Sequence, residues 1–94
     1  MIKEEFIGEV CQKIPYSHAM VTRIVDVMLE TITREIADGN SVQFAGFGTF
    51  EPKYRAARTG RNPHTNEPVP IPARIVPNFR AGKFFKEAVV KQVK

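Results

Sequence analysis

Gly46-Phe47-Gly48-Thr49-Phe50-Glu51-Pro52-Lys53-Tyr54-Arg55-Ala56-Ala57-Arg58-Thr59-Gly60-Arg61-Asn62-Pro63 is the stretch that decides how this chain is built. Two glycines flank Phe47 and permit a tight connection, and the aromatic residues around it alternate with polar ones, the pattern of half-buried strands. Beyond Lys53 large apolar side chains become scarce and arginines stand at 55, 58 and 61. The segment ends in Asn62-Pro63-His64-Thr65-Asn66, rich in turn formers, and the chain returns through Pro68, Pro70 and Pro72. Too few large side chains lie between Lys53 and Arg74 to offset the entropy of ordering, and an isolated two-stranded ribbon is marginal in water. Such a piece is expected to be held out for a partner, and its arginines point to a polyanion.

Working outward, Val42 and Phe44, then Phe47 and Phe50, alternate with Gln43, Thr49 and Glu51. These predict two antiparallel strands, the second running on as the first limb of an arm spanning about 53–75. The return limb is predicted over 67–74. Its prolines at alternate positions place the missing N–H groups on one edge, which an edge strand tolerates. Ile75, Val76 and Phe79 rejoin the core as a third strand. Gly82 precedes a short helix predicted over 83–93, with Phe84, Phe85, Ala88, Val89 and Val93 facing inward.

The first forty residues follow a helical period. Phe6, Ile7, Val10, Cys11 and Ile14 form a stripe over 3–14, and Pro15 ends it by forcing Ile14 out of the α region. Ser17 is a natural N-cap for a second helix over 18–38, without a capping box because Met20 stands at N3. Asp38-Gly39-Asn40 is its stop signal. The apolar residues of that helix, Met20, Val21, Ile24, Val25, Val27, Met28, Leu29, Ile32 and Ile36, cover more than the roughly 100° stripe of a surface helix. A central core helix is one explanation. A helix packed on its own subunit and on a second copy is preferred, because so short a chain buries its surface poorly alone.

Charge is divided as sharply as period. Residues 1–40 carry four Lys/Arg against seven Asp/Glu, and residues 41–94 carry ten against three. The first half scaffolds; the second meets an acidic surface. One cysteine, Cys11, excludes an intrachain disulfide framework and fits a reducing cytosol. Met1 leads directly into an amphipathic helix, and there is no window of 18 apolar residues, so neither a membrane span nor a targeting segment is expected.

Two helices, a three-stranded sheet, a basic Pro-rich arm and a closing helix resemble the bacterial HU / integration host factor family. The resemblance covers essentially the whole chain. It is carried by Gly46-Phe47-Gly48-Thr49-Phe50-Glu51, by Arg58-Thr59-Gly60-Arg61-Asn62-Pro63 and Thr65, by Ile71-Pro72-Ala73, and by Val76-Pro77 through Phe79 to Gly82-Lys83. It implies an α+β fold in an intertwined dimer whose two β-arms reach around DNA, with a proline at each arm tip wedged between base pairs. HU and its relatives are established examples of that minor-groove mechanism, which enters here through the family. Residues 1–94 are then a single DNA-binding domain: 1–40 for dimerisation, 41–82 for the sheet with its arm, 83–94 for the last helix. Three departures stand out. Asn66 replaces the usual glycine but tolerates a left-handed backbone. Pro68 and Pro70 stiffen the return limb. Ile14-Pro15-Tyr16 replaces a more typical Gly-containing turn.

The arm's chemistry suits duplex DNA. The minor groove is about 6 Å wide and offers a degenerate pattern of acceptors, so it admits a thin ribbon and gives it little to read. Arg55, Arg58 and Arg61 supply cations for groove edges and phosphates. Asn62 can donate to base acceptors, and Pro63 is a rigid apolar wedge. Lys53, Arg74, Arg80, Lys83 and Lys86 are expected to grip flanking phosphates of a bent duplex, against the plainer role of surface solubility. Lys3 is a weaker candidate for the same work. Phe44, Phe47, Phe50 and Phe79 are assigned to core packing rather than to base stacking. His64 is read as an exposed tip residue.

Catalysis fails on inventory. Ser17, His18, Cys11 and His64 make no nucleophile with an oriented base, and two histidines with one cysteine give no metal-ligand spacing. No cofactor is expected. The expected activity is a non-enzymatic architectural DNA-binding protein of the cytoplasm and nucleoid, bending or stabilising bent duplex and compacting the chromosome. Its partners are double-stranded DNA and a second subunit, identical or related. A sequence-specific bender of the integration-host-factor type is the alternative within the family. RNA is a secondary partner at most, since the wide, shallow minor groove of A-form RNA gives a wedge less purpose.

Overall fold

The computed structural model describes residues 1–91, so the predicted inward position of Val93 lies outside the described residues. The chain divides into two compact units, Met1–Arg34 and Glu35–Lys94. The first holds helix α1, Lys3–Cys11, and most of helix α2, His18–Ala37. Its buried side chains are Ile7, Val21 and Ile32, and Lys3 forms an ion pair with Asp26. Helix α1 is shorter than its apolar stripe predicts. The Lys13 N–H closes on the Val10 carbonyl at 3.0 Å, an i→i−3 bond that tightens the last turn. Ile14 and Pro15 therefore fall beyond the helix rather than at its end.

Helix α2 begins and ends as its sequence dictates. The Met20 N–H donates to Ser17 Oγ at 3.1 Å, the side-chain cap that leaves one fewer orphan donor. At the other end, Gly39 takes φ 89°. Its N–H donates to Ile36 O at 3.0 Å, and the Asn40 N–H donates to Glu35 O at 2.9 Å. This pair of bonds is a Schellman motif, which needs the left-handed residue that glycine supplies.

The second unit is built on strands β1, Val42–Phe44, and β2, Gly48–Arg55, a ribbon of β3, Arg58–Arg61, with β4, Pro68–Ile71, and then β5, Arg74–Ala81, and helix α3, Lys83–Val89. β1, β2 and β5 form one antiparallel sheet in that order, and β3 pairs with β4 in a second. The predicted arm is thus present but interrupted: residues 56–57 and 72–73 belong to no strand. The third strand starts at Arg74, one residue earlier than expected.

At the base of the sheet the backbone leaves no room for a side chain at residue 48. A methyl group on Gly48 would lie 2.5 Å from the Phe79 ring and 2.8 Å from the Arg80 carbonyl oxygen. Around it the phenylalanines pack on one another, as expected. Phe47 stacks on Phe85 with centroids 4.7 Å apart, Phe50 lies 4.7 Å from Phe79, and Phe44 meets Phe50 edge-on at 6.2 Å. Helix α3 is tied to this cluster through the Phe85 N–H, which donates to Gly46 O at 3.1 Å. It stops at Val89, earlier than predicted, because Val90 turns to extended backbone. The inward positions predicted along it need correction. Phe85 is half-buried, whereas Phe84 is 70% exposed and Ala88 and Val89 are exposed. Seven residues of helix, tied to the cluster through Phe85, cover a single side.

Candidate nucleic-acid interface

The sheet places the basic residues of the arm's base together. Successive side chains of a strand point to opposite faces, and β2 runs opposite β5 with Thr49 facing Arg80, Glu51 facing Asn78, Lys53 facing Val76 and Arg55 facing Arg74. Lys53, Arg55, Arg74 and Arg80 therefore share one face. The other face carries Phe50 with Phe79, Pro52 with Pro77, and Tyr54 with Ile75. It continues the aromatic core outward and ends in an apolar pair 65% and 63% exposed.

Not all four cations are equally free. Arg80 Nη2 lies 3.7 Å from Glu51 Oε2, while Asn78 Nδ2 donates to Glu51 Oε1 at 3.2 Å. Of the four, Arg80 alone has an ion-pair partner among the described residues. Its guanidinium is two-thirds exposed, so the pair is worth about 0–1 kcal/mol and a phosphate can compete for it. Lys3, the weaker candidate, is paired with Asp26. Lys83 and Lys86 stand on α3, on either side of Phe84 and Phe85.

Arg58, Arg61, Asn62 and Pro63 belong to the far ribbon, where the tip is a four-residue loop closed by a dense set of bonds. The Asn62 N–H donates to Glu67 O at 2.9 Å, and the Asn66 N–H donates to Asn62 O at 2.7 Å. Asn66 takes φ 59°, the left-handed conformation its side chain tolerates. Asn62 Oδ1 accepts from the His64 N–H at 2.9 Å, an Asx turn that folds over Pro63. Arg61 Nη1 donates to Asn66 O at 3.1 Å. Two roles assigned from sequence are thereby refined. Arg61 braces the loop as well as carrying charge. Asn62 has its oxygen committed to the turn, and its amide NH2 remains as the group able to donate.

Sequence reasoning missed the Arg61–Asn66 bond and the Glu51 acceptor. It also left the Asx turn unread, assigning Asn62 only as a donor to bases, although Asn followed by Pro in a turn-rich stretch favours a side chain bonded to backbone two residues on. The Glu51 acceptor was not legible, because its partners stand 27 and 29 positions away and meet it only through the register of β2 on β5.

Residues 1–90 match the family described as bacterial DNA-binding protein. The chain belongs to that family. It is 47% identical to the DNA-binding protein HU of Thermotoga maritima, over 95% of this chain and 99% of that one. It is 43% identical to the DNA-binding protein HU-beta of Escherichia coli, with the same coverage. Among solved structures, a chain of the Anabaena HU–DNA cocrystal superposes with a TM-score of 0.92 at 41% identity, covering 98% of this chain and all of that one. HU from Thermotoga maritima superposes with a TM-score of 0.69 at 34% identity. As a member of the HU family, the chain has the α+β architecture and protruding arm expected of it.

Proposed function

We propose that this protein is a non-enzymatic architectural DNA-binding protein that enters the minor groove with little sequence specificity, bends or stabilises bent duplex, and compacts the chromosome. The observation that carries the reading is the arm. Its base gathers Lys53, Arg55, Arg74 and Arg80 on one face, and its tip presents Pro63 in a loop braced from both sides by Arg61, Asn62 and Asn66. With backbone amides and Arg61 occupied in holding the loop, the proline ring, which has no N–H, is offered as the leading surface. A ring without an N–H suits an opened base step, where unstacking costs a few kcal/mol and is repaid by bending that brings more protein onto the duplex. The HU names of the relatives and the likeness to a chain crystallised with DNA support this over the integration-host-factor alternative.

The working unit is a dimer formed through the first forty residues, placed on the nucleoid. Among the described residues only Ile7, Val21 and Ile32 are buried apolar side chains, while Ile24, Val27, Met28 and Leu29 of α2 are each 44–55% exposed.

Competition at fixed salt between intact duplex DNA, nicked duplex DNA and double-stranded RNA tests the function. Binding to both DNAs with preference for the nicked one is expected. Preference for RNA would overturn the reading, and discrimination among intact duplexes by sequence would favour the integration-host-factor type.

A further inference from the structure

Five prolines stand in the two ladders of the ribbon or beside them, and together they divide its hydrogen bonding into two zones. Pro52 and Pro77 lie directly opposite each other. Neither has an N–H, so this pair exchanges no hydrogen bonds. Bonding and non-bonding pairs alternate along an antiparallel ladder, which makes Glu51–Asn78, Lys53–Val76 and Arg55–Arg74 the bonding pairs of the base. The Gly82 N–H donating to Phe47 O at 2.7 Å falls on the same phase. At the tip the Asn62 N–H donates to Glu67 O. Stepping back by twos, Gly60–Val69 and Arg58–Ile71 are the bonding pairs there, and Pro68 and Pro70, opposite Arg61 and Thr59, take the non-bonding positions.

The two zones are out of step. Arg55 faces Arg74 and Arg58 faces Ile71, so both strands advance three residues between one bonding pair and the next, where a regular ladder advances two or four. The reversal occurs at Ala56-Ala57 and Pro72-Ala73, the four residues outside the strands. Had the base phase continued, Pro68, Pro70 and Pro72 would all have fallen on bonding positions, each lacking the donor required.

The reversal moves side chains. For L-residues, backbone chirality fixes the side of the ribbon toward which a bonding pair projects its side chains. Three steps along an unbroken strand would put Arg55 and Arg58 on opposite sides. With the reversal both belong to bonding pairs and project to one side, together with Lys53 and Arg74. Arg61, on a non-bonding pair, projects to the other.

We propose that Pro68, Pro70 and Pro72 are positioning residues for DNA contact: by excluding the base phase from the tip they force the reversal that brings Arg58 into line with Lys53, Arg55 and Arg74 along one phosphate-tracking side of the arm. This rests on the DNA-binding function proposed above. Arg58 and Arg61, three positions apart in one strand, then have different work. Arg58 extends the cationic line, and Arg61 braces the wedge loop.

The test restores the three donors in Pro68→Thr/Pro70→Thr/Pro72→Thr and follows ladder phase and binding separately. Phase is read by NMR from cross-strand Hα pairs, which are close only at non-bonding positions, where Cα atoms approach to about 4.5 Å rather than about 5.5 Å. The native protein is expected to show close pairs at 59–70 and 61–68, and the triple variant at 58–71 and 60–69. Binding is read from the salt dependence of affinity for a short mixed-sequence duplex. In the native background Arg58→Ala and Arg55→Ala should each lower the slope by about 0.9 per arm. In the triple variant Arg58→Ala should leave the slope unchanged while Arg55→Ala still lowers it. Native close pairs at 58–71, a triple variant that keeps the native phase, or an Arg58→Ala effect that survives the phase change would each overturn the proposal. If the triple variant loses its ribbon, Pro70→Thr alone serves: Pro68 and Pro72 remain, so both the native phase and the Arg58→Ala effect should persist, and a shift of phase would count against the mechanism. A native protein that binds no duplex would fail the function itself, whatever the phase.

Discussion

The Arg61 guanidinium donates through Nη1 to the carbonyl oxygen of Asn66, 3.1 Å away, and Asn66 itself holds φ 59°. One residue supplies the bend and the other pins it. Asn66→Gly should preserve the loop, because glycine takes this conformation freely. Asn66→Ala should cost roughly 1–2 kcal/mol, the penalty of a left-handed backbone on a residue with a Cβ. Amide exchange at Asn62 and Asn66 reads the difference. Exchange should quicken about tenfold for each 1.4 kcal/mol in the alanine variant, and equal protection in the two variants would deny the strain.

The apolar side of α2 bears on the assembly. Ile24 is 55% exposed in the single chain, where a substitution should change stability by no more than about 0.5 kcal/mol. In a dimer that covers it, Ile24→Glu buries an unpaired charge at a cost of several kcal/mol, against a total of roughly 5–15. Sedimentation and thermal unfolding of this variant should show loss of both the dimer and the fold. Ile32→Asp and Val25→Asp, at buried and half-buried positions, should do the same. A native chain that sediments as a folded monomer at micromolar concentration ends the dimer proposal.

Where the sequence was legible, the relevant physics is local. Ser17 caps α2 and Gly39 closes it through atoms within five residues. Pro68 and Pro70 pair with Arg61 and Thr59 at alternate positions, whereas Pro72 lies outside the strands. Where it was not, the deciding partner lay elsewhere. Pro15 sets an outer limit for α1 but does not reveal that the turn tightens at Lys13. The apolar residues of α3 show which side chains gain by burial, not that one chain lacks the surface to cover Phe84 and Val89. The acceptor shared by Asn78 and Arg80 depends on long-range register. The break in the arm lies between these cases, since the parity of five prolines encodes it once the pairing register is known.

Ten basic residues against three acidic ones in residues 41–94 make binding salt-dependent. If a dimer neutralises about 6–10 phosphates, log K should fall with log[salt] at a slope of roughly −5 to −9. Glu51→Gln, which releases Arg80 from its carboxylate, should tighten binding and steepen that slope. A flat titration by fluorescence anisotropy would mean that the basic half is not the contact surface.

Pro63 gives the sharpest decision, because the bonds around it do not depend on it. The loop is closed by Asn62 to Glu67, Asn66 to Asn62, His64 to Asn62 Oδ1 and Arg61 to Asn66, and none of these uses a Pro63 atom. Pro63→Ala therefore removes the ring and leaves the loop. If the ring is a wedge, the variant should lose a few kcal/mol of compensation for unstacking on intact duplex, and bending should fall sharply. On DNA already opened by a nick or mismatch the step is partly unstacked beforehand, so the loss there should be smaller. Arg61→Ala behaves differently: removing its charge weakens binding to both substrates by a similar factor, and loss of its bond to Asn66 adds a further loss on intact duplex alone. Gel shift and FRET-based bending on both substrates separate these effects. Equal losses for Pro63→Ala on intact and nicked DNA, with bending unchanged, would leave Pro63 a turn residue and assign the bend to the cationic face.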